Sequence, residues 1–575
     1  MVSQMSNQNA PLEYTIAITT SRLDCCRNLV ESTVYDETAM WWFVDTEFDG
    51  FLSRVLNERP SREVRLRSLV MYEVYRRLVP FLRALQTILI RSILFLYKKT
   101  GARRTESTLR KIMFTAQNIE WRPVRDNDTG QIRMSDAFFD STMKNLAREC
   151  ECMGVYPLWT SYRGVAISRL IRNLKILIEK WTNWYVPHIP FELYWSPATT
   201  RTEREAHAYF LRKWRQLGND RTFKKICLQK GATIGRRIEN QVEYYFRVTF
   251  PSVASYIDIA ERMIEKEKPR LVMIQNENGL FERCLVVACR RLGVPTLAVQ
   301  HGDIDPYRSG YMCMRDQMSA DVSERSRSFP IPNMTAVFGP YYRDLLTRLC
   351  GYPENAVVVT GQPRCDRLFS AKKIYSRESF LERHGIVSSN KVILWTTQCH
   401  VLGVEENSRN LKAVISAIRE MKDTTLIIKE HPGERGRYRT MIERYLHEQN
   451  VDAILLSGNA DTYELLFTCN LLVTKYSTTA MEAVAMGRPV IILDLNSKVA
   501  SAAIDYVEEG VALGVHEENA LRPAIERLVS GDTELSSSRK RFVKKYLYRI
   551  DGKASERLIG LVCQMIGINQ GARED

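Results

Sequence analysis

From Arg270 onward the chain alternates short apolar runs with amphipathic stretches in a steady rhythm. LVMIQNE begins it at Leu271, and a helical pattern from Phe281 to Leu292 is stopped by Gly293-Val294-Pro295. TLAVQHG follows, then TAVFG (335–339), a helical stretch to Leu349, and AVVVTG (356–361). After a polar break the rhythm resumes with VILWTT (392–397), TLIIKEHP (425–432), AILLS (453–457), LLVTK (471–475) and VIILD (490–494). Apolar runs of strand length, without polar alternation and separated by helices, predict parallel sheets covered on both faces. The break at Phe369–Asn390 predicts two such Rossmann-like units. Ligands of these sheets bind outside the carboxyl ends of the strands, and that is where each run here turns polar.

Before Arg270 the pattern is irregular. Strands are expected at Tyr14–Thr20, Met40–Asp45 and Val155–Thr160 among long basic helices, with a packed loop at Trp181–Pro197 and helices over 203–268. In Val79–Tyr97 a helical period puts Leu78, Leu82, Leu85, Leu89, Ile93 and Leu96 on one face and Arg76, Arg83, Arg91 and Lys98 on the other. A basic amphipathic helix of this kind packs on a domain core or lies on an anionic membrane. The expected division is an N-terminal domain over 1–370 with a basic helical insertion at about 62–230, a C-terminal domain over 388–535, and a closing helix and tail over 536–575.

Composition narrows the function classes. A chain of 575 residues, 45% hydrophobic and 26% charged, exceeds one core and is neither fibrous nor mainly disordered. Its net charge of +15 calls for an anionic partner, or is a solvated basic surface. No recognition-helix, zinc-finger or aromatic RNA-binding pattern is visible, so nucleic acid is not the expected partner. The 13 cysteines are scattered; Cys150 with Cys152 and Cys25 with Cys26 lack a second pair at zinc spacing. Reduced thiols, no signal-like start and no uncharged apolar window of membrane length predict a cytoplasmic protein, peripheral at most to the inner membrane face.

The polar strand ends carry the candidate chemistry. Glu277 closes the first run, and Gln300-His301-Gly302 closes the second. Lys429-Glu430-His431-Pro432 ends another, with the proline halting strand pairing. Ser477, Thr478 and Thr479 precede a helix whose unpaired N–H groups suit phosphate. The plain alternative is that Thr479 and Glu482 form a capping box worth about 1 kcal/mol, with no ligand at all. Asp303-Ile304-Asp305 has the form of a metal-binding DxD, but its place beside QHG argues against that use, and no metal is expected.

Taken in order, these segments resemble the GT-B superfamily. Gln300-His301-Gly302 is similar to the QHG of capsule and surface-polysaccharide enzymes. Thr360-Gly361-Gln362-Pro363-Arg364-Cys365-Asp366 resembles the hinge of UDP-N-acetylglucosamine 2-epimerases, and Lys429–Pro432 resembles the KPHP of teichoic-acid glycerophosphotransferases. Tyr476–Ala483 with Gly487-Arg488-Pro489-Val490 resembles the donor segment of the same superfamily. The resemblance spans about Arg270 to Asp494. It implies an α/β GT-B fold, two Rossmann-like domains facing a cleft, with an additional helical N-terminal elaboration. It implies donor contacts at Lys429, His431, Pro432, Ser477, Thr478, Thr479 and Glu482, with Glu482 on the ribose hydroxyls. His301 is then the general base, with Glu277 its rival, and Gly302, Gly361, Gln362 and Arg364 line the hinge and cleft. No cofactor is expected: a UDP-, CDP- or CMP-linked donor is the substrate, and a glycan or lipid-linked acceptor the partner. Two departures stand out. Thr396-Thr397-Gln398-Cys399-His400 lacks the arginine pair of hydrolysing epimerases, and Glu430 replaces the family proline. A metal-independent transferase is thus the leading expectation, ahead of a 2-epimerase and of a non-catalytic assembly protein on the same fold.

Overall fold

The computed structural model describes residues 33–51, 81–92, 110–158, 178–224, 232–304, 310–311, 329–495 and 504–568, with gaps of a few residues inside these ranges. A small hairpin, β1 (Val34–Tyr35) and β2 (Thr38–Ala39), comes first. β3 (Lys111–Thr115) leads into a second hairpin, β4 (Trp121–Arg125) and β5 (Ile132–Asp136), and then to β6 (Glu151–Tyr156) and β7 (His188–Pro190). β8 (Leu271–Ile274), β9 (Thr296–Val299), β10 (Met334–Val337) and β11 (Val357–Val359) follow. The remaining strands are β12 (Lys391–Thr396), β13 (Thr424–Lys429), β14 (Ala453–Leu456), β15 (Leu471–Thr474), β16 (Val490–Leu493) and β17 (Leu513–Val515).

Two sheets result, of seven strands ordered β11-β10-β9-β8-β3-β6-β7 and of six ordered β14-β13-β12-β15-β16-β17. Every ladder in both is parallel. The central strands are covered on both faces, as Leu271–Ile274 and Leu471–Val473 show by complete burial, which is why their sequences run apolar without alternation. In each sheet the chain steps outward, returns beside its first strand and steps out the other way. That places a switch point between β3 and β8 in one and between β12 and β15 in the other. Both are bridged by threonine: Thr115 Oγ1 accepts from the Gln275 N–H at 2.9 Å, and Thr396 and Thr474 share a hydroxyl bond of 2.8 Å. Two doubly wound parallel sheets are the GT-B architecture expected from the sequence.

The N-terminal third departs from expectation. Residues 62–230 are not a helical insertion: β3, β6 and β7 lie there and build one side of the first sheet. These strands are short and set among charged connections, so no rhythm betrays them. Met40–Phe43 is a tight helical turn rather than a strand, with Met40, Trp41, Trp42 and Phe43 all buried. The strand expected at Val155–Thr160 is Glu151–Tyr156, and the loop expected at Trp181–Pro197 contains β7. Tyr14–Thr20 lies outside the described residues. The helices expected over 203–268 are present, within Pro197–Asn219, Ala232–Tyr244 and Phe250–Glu267.

The described residues between 81 and 92 are helical. Thr87 and Ile90 are buried, Arg91 donates to the Leu193 carbonyl at 2.7 Å, and Phe81, Leu85, Ile88 and Leu89 are exposed. The helix therefore docks by a different side from the one its sequence favours, and Leu85 and Leu89 of the apolar face point outward. Leu78, Leu82, Ile93, Leu96, Arg76, Arg83 and Lys98 fall outside the described residues. Among those described, no helix is long and apolar enough to cross a membrane.

The chain ends by returning to the first sheet. The helix Ala554–Met565 buries Leu558 and Val562 in the same core cluster as Ile112 and Phe114 of β3. Its leading N–H groups, Ala554 and Ser555, donate to the two carboxylate oxygens of Asp366 at 2.9 and 2.8 Å, so that residue caps the helix from outside it. Arg557 donates to the Thr360 carbonyl at 2.7 Å, beside Gly361, whose φ of +83° suits glycine. Asp366→Ala is expected to lower stability by about 2 kcal/mol, since it removes two charge-assisted bonds from a helix start. Urea unfolding of the two proteins checks this, and equal midpoints would refute the capping role.

Candidate active site

At the first switch point, β8 runs out into Glu277, which is only 6% exposed. Thr335 donates to its carboxylate at 3.1 Å, and burial pushes its pKa up to about 7. β9 runs out into Gln300-His301-Gly302. The Gln300 side chain donates to the Gly302 carbonyl at 2.8 Å and accepts from the Phe338 N–H at 2.9 Å, stapling the turn that presents His301 to β10. His301 is half-buried, and its carbonyl accepts from Arg364 at 3.4 Å. Asp303 accepts a hydrogen bond of 2.7 Å from Tyr342. Among the described residues no group of three His, Cys, Asp or Glu side chains stands where it could hold a metal ion.

At the second sheet, Lys429 ends β13 with its ammonium turned to two carbonyls, Glu430 at 3.3 Å and Gly458 at 3.2 Å. Burial first, and then the charge of Arg122, lowers its pKa to about 8 against the pull of Glu482, Glu434 and Asp461. His431 Nδ1 accepts from the Gly433 N–H at 3.0 Å, so in the neutral ring the proton resides on Nε2. Pro432 backs onto Gly458, where a Cβ would lie 2.6 Å from the proline Cα, so only glycine admits this approach. Glu434 accepts from the Thr397 hydroxyl and the Cys399 N–H, both at 2.7 Å, joining the loops after β12 and β13.

After β15, Ser477 Oγ accepts from the Thr479 N–H at 3.2 Å and lies 2.9 Å from the Thr479 hydroxyl. Thr478 and Thr479 are half-buried. The helix Thr479–Ala485 follows, but its Glu482 does not reach back to cap it. The carboxylate instead accepts from the Tyr463 hydroxyl at 2.9 Å and is 6% exposed. The capping-box reading therefore fails: no side chain caps this helix from its N-cap position, and Glu482 is committed to the interior. Gln362 and Gly361 are buried beneath Arg364, whose guanidinium stands 5.6 Å from the centre of the Phe138 ring. Burial works against the charge of Arg364, while Tyr463, Glu482 and Glu120 reinforce it.

The fold thus links His301 to Arg364, and the charge of Glu482 acts on both Arg364 and Lys429. Glu277 has its contacts with Thr335 and the charge of Arg283 instead, within the first sheet. Tyr463, Glu434 and Gly458 went unnoticed in the sequence. Glu434 had a signal, being three residues beyond His431 at a strand end; Tyr463 and Gly458 had none outside three dimensions.

A family model described as CDP-Glycerol:Poly(glycerophosphate) glycerophosphotransferase matches residues 271–564. That stretch runs from β8 through the closing helix and contains every candidate site residue above. The chain belongs to this glycerophosphotransferase family. As a family member it is a transferase that uses a nucleotide-activated donor. None of the curated proteins matches it. Among solved structures it is similar to S. aureus MnaA with UDP (14% identity, 81% of this chain and 100% of that one, TM-score 0.47). It is also similar to UDP-GlcNAc 2-epimerase from Neisseria meningitidis bound to UDP-GlcNAc (13%, 79% and 100%, TM-score 0.46). A third is a glycosyltransferase from Rickettsia africae ESF-5 (10%, 80% and 99%, TM-score 0.43). Likenesses of this degree carry nothing about activity.

The buried Glu277 generates a pH dependence. With a folded pKa of about 7 against 4.5 when free, the folded state holds the proton more tightly. The stability present below pH 4.5 is therefore lost as pH rises towards 7, by about 3 kcal/mol in the limit. Glu277→Gln is expected to remove that decline. Unfolding midpoints measured at mildly acidic and mildly alkaline pH check it, and a decline of the same size in both proteins would contradict it.

Proposed function

We propose that this chain transfers a polyol phosphate from a cytidine-diphosphate-linked polyol to a hydroxyl of a glycan or lipid-linked acceptor in surface-polysaccharide synthesis. The observation that carries the proposal is the family match, which lies over His301, Arg364, His431 and Glu482. Residues 1–370 serve the acceptor side and 388–535 the donor side. His301 takes the proton of the acceptor hydroxyl, whose oxygen then bonds to the phosphorus nearest the polyol. The bond from that phosphorus to the bridging oxygen breaks, and CMP leaves with the electron pair. His431 offers Nε2–H to the departing phosphate, and Arg364, Lys429 and the Ser477–Thr479 turn set positive charge and donors against the developing negative charge. Glu482 holds the ribose hydroxyls. Charge is met by side chains throughout, and no step calls on a metal ion.

The two histidines separate kinetically. His301→Ala is expected to lower kcat by roughly 10²–10⁴-fold with donor binding retained. His431→Ala is expected to weaken nucleotide binding in the absence of acceptor by about 1–3 kcal/mol. Glu277→Gln is the control for the rival base. Turnover abolished by Glu277→Gln but intact in His301→Ala would move the base to Glu277.

The acceptor reading extends to the membrane. Phe81, Leu85, Ile88 and Leu89 expose apolar surface on one helix of a chain with net charge +15, a combination suited to an anionic bilayer surface. Cosedimentation with phosphatidylglycerol vesicles is expected, with loss of most binding in Leu85→Glu/Ile88→Glu. Equal sedimentation of the two proteins, or none by the wild type, would rule the contact out.

A further inference from the structure

The β4–β5 hairpin lies outside the stretch that the family model matches, yet it is built into the donor side. Arg125, at the end of β4, pairs with Glu464 at 3.3 Å and Asp461 at 3.7 Å and stands 5.7 Å from the centre of the Tyr375 ring. Asp461 caps the helix Thr462–Thr468, accepting from the N–H groups of Tyr463 and Glu464. That helix carries Tyr463, which holds Glu482. A hairpin from the first half of the chain is thereby clamped to the helix that positions the ribose-binding carboxylate.

Arg122 stands near the start of the same strand. One of its nitrogens, Nη2, bonds Glu120 at 3.0 Å, and no other hydrogen bond from its guanidinium is found among the described residues. The side chain is 22% exposed, so the rest of its donor fork is open to a ligand. Its positive charge bears on Lys429 more than that of any other residue, and the charge of its partner Glu120 bears on Arg364. The pair therefore lies within electrostatic reach of both cations of the donor site. Arg122 sets its charge against that of Lys429, and a diphosphate entering between the two would offset their repulsion. A planar guanidinium, half engaged by a carboxylate and half open, has the geometry for two phosphate oxygens.

We propose that Arg122 is a ligand of the donor diphosphate, acting on the phosphate that is transferred and supplied from the acceptor-side half of the chain. The assignment rests on the cytidine-diphosphate reading of the donor site. In it, Glu120 occupies one arm of the fork until the donor competes for it, and the Arg125 clamp keeps the hairpin in place. Binding the donor then draws on groups from both sheets.

Calorimetric titration of the full chain with CDP and with CMP tests it, since the second phosphate of CDP stands for the one transferred. Arg122→Gln is expected to weaken CDP binding about 10- to 100-fold while leaving CMP binding within about twofold. Arg122→Lys should recover part of the CDP affinity. Glu120→Gln, which frees the fork, is expected to tighten CDP binding, an effect opposite to any loss of folding. Unchanged CDP binding in Arg122→Gln overturns the assignment alone. Equal losses for CDP and CMP overturn it in favour of a purely structural hairpin. A wild-type chain that binds neither nucleotide overturns the donor reading and this assignment with it.

Discussion

The Glu482 carboxylate, buried and anchored by the Tyr463 hydroxyl, is the charge around which the rest of the site is balanced. A carboxylate withdrawn from water to this degree needs partners that replace its lost hydration. Its charge acts on two cations from different stretches of chain, Arg364 after β11 and Lys429 at the end of β13. Arg364 also reaches the carbonyl of His301. One carboxylate thus acts on the turn after β11 and on the end of β13, and through Arg364 the first of these reaches the histidine turn after β9.

What brings such distant residues together is the parallel sheet. Parallel strands all deliver their carboxyl ends to one edge, so each polar run that ends a strand arrives at the same rim. The threonine bridges at the two switch points, Thr115 with Gln275 and Thr396 with Thr474, brace that rim where the ladders part. Close backbone contact does the finer placement. Gly458 admits Pro432, Lys429 ties Gly458 back to β13, and Glu434 joins the neighbouring loop. In this structure the lysine ammonium is as much a brace for the His431 turn as a charge for a ligand.

This division explains what could be read from the sequence. Strands β8 to β16 are legible because their apolar runs are unbroken, as burial on both faces requires of the central ones, and the polar residues that end them stand out as site candidates. β3, β6 and β7 are not, since they are short and interspersed with charged connections, and the first sheet was credited with a helical insertion in their place. Thr479 and Glu482 showed a capping pattern, which local spacing alone could not distinguish from a carboxylate bound elsewhere; Tyr463 decides it, from a helix that begins 17 residues earlier. The helix at 81–92 shows a different limit. Its period identified an apolar face, but which side packs was settled by Ile90, Thr87 and the Arg91 bond to Leu193.

The two histidines end strands in the same manner, yet their surroundings suit them to different work. His431 commits the lone pair of Nδ1 to the Gly433 N–H, which fixes the neutral ring as a donor through Nε2. A ring in that state cannot accept a proton from a hydroxyl at Nε2 without first losing the one it holds, so it suits the leaving phosphate and not the acceptor. Glu277 has the opposite difficulty. Burial raises its pKa to about 7, and its carboxylate already accepts from Thr335, so near neutrality much of it is protonated and what is ionised is partly occupied. His301 is half-buried on a turn that Gln300 holds by two hydrogen bonds, which fixes the backbone there. With His431 and Glu277 committed in these ways, the proposed base remains His301, imidazole being a side chain that serves in general acid–base catalysis.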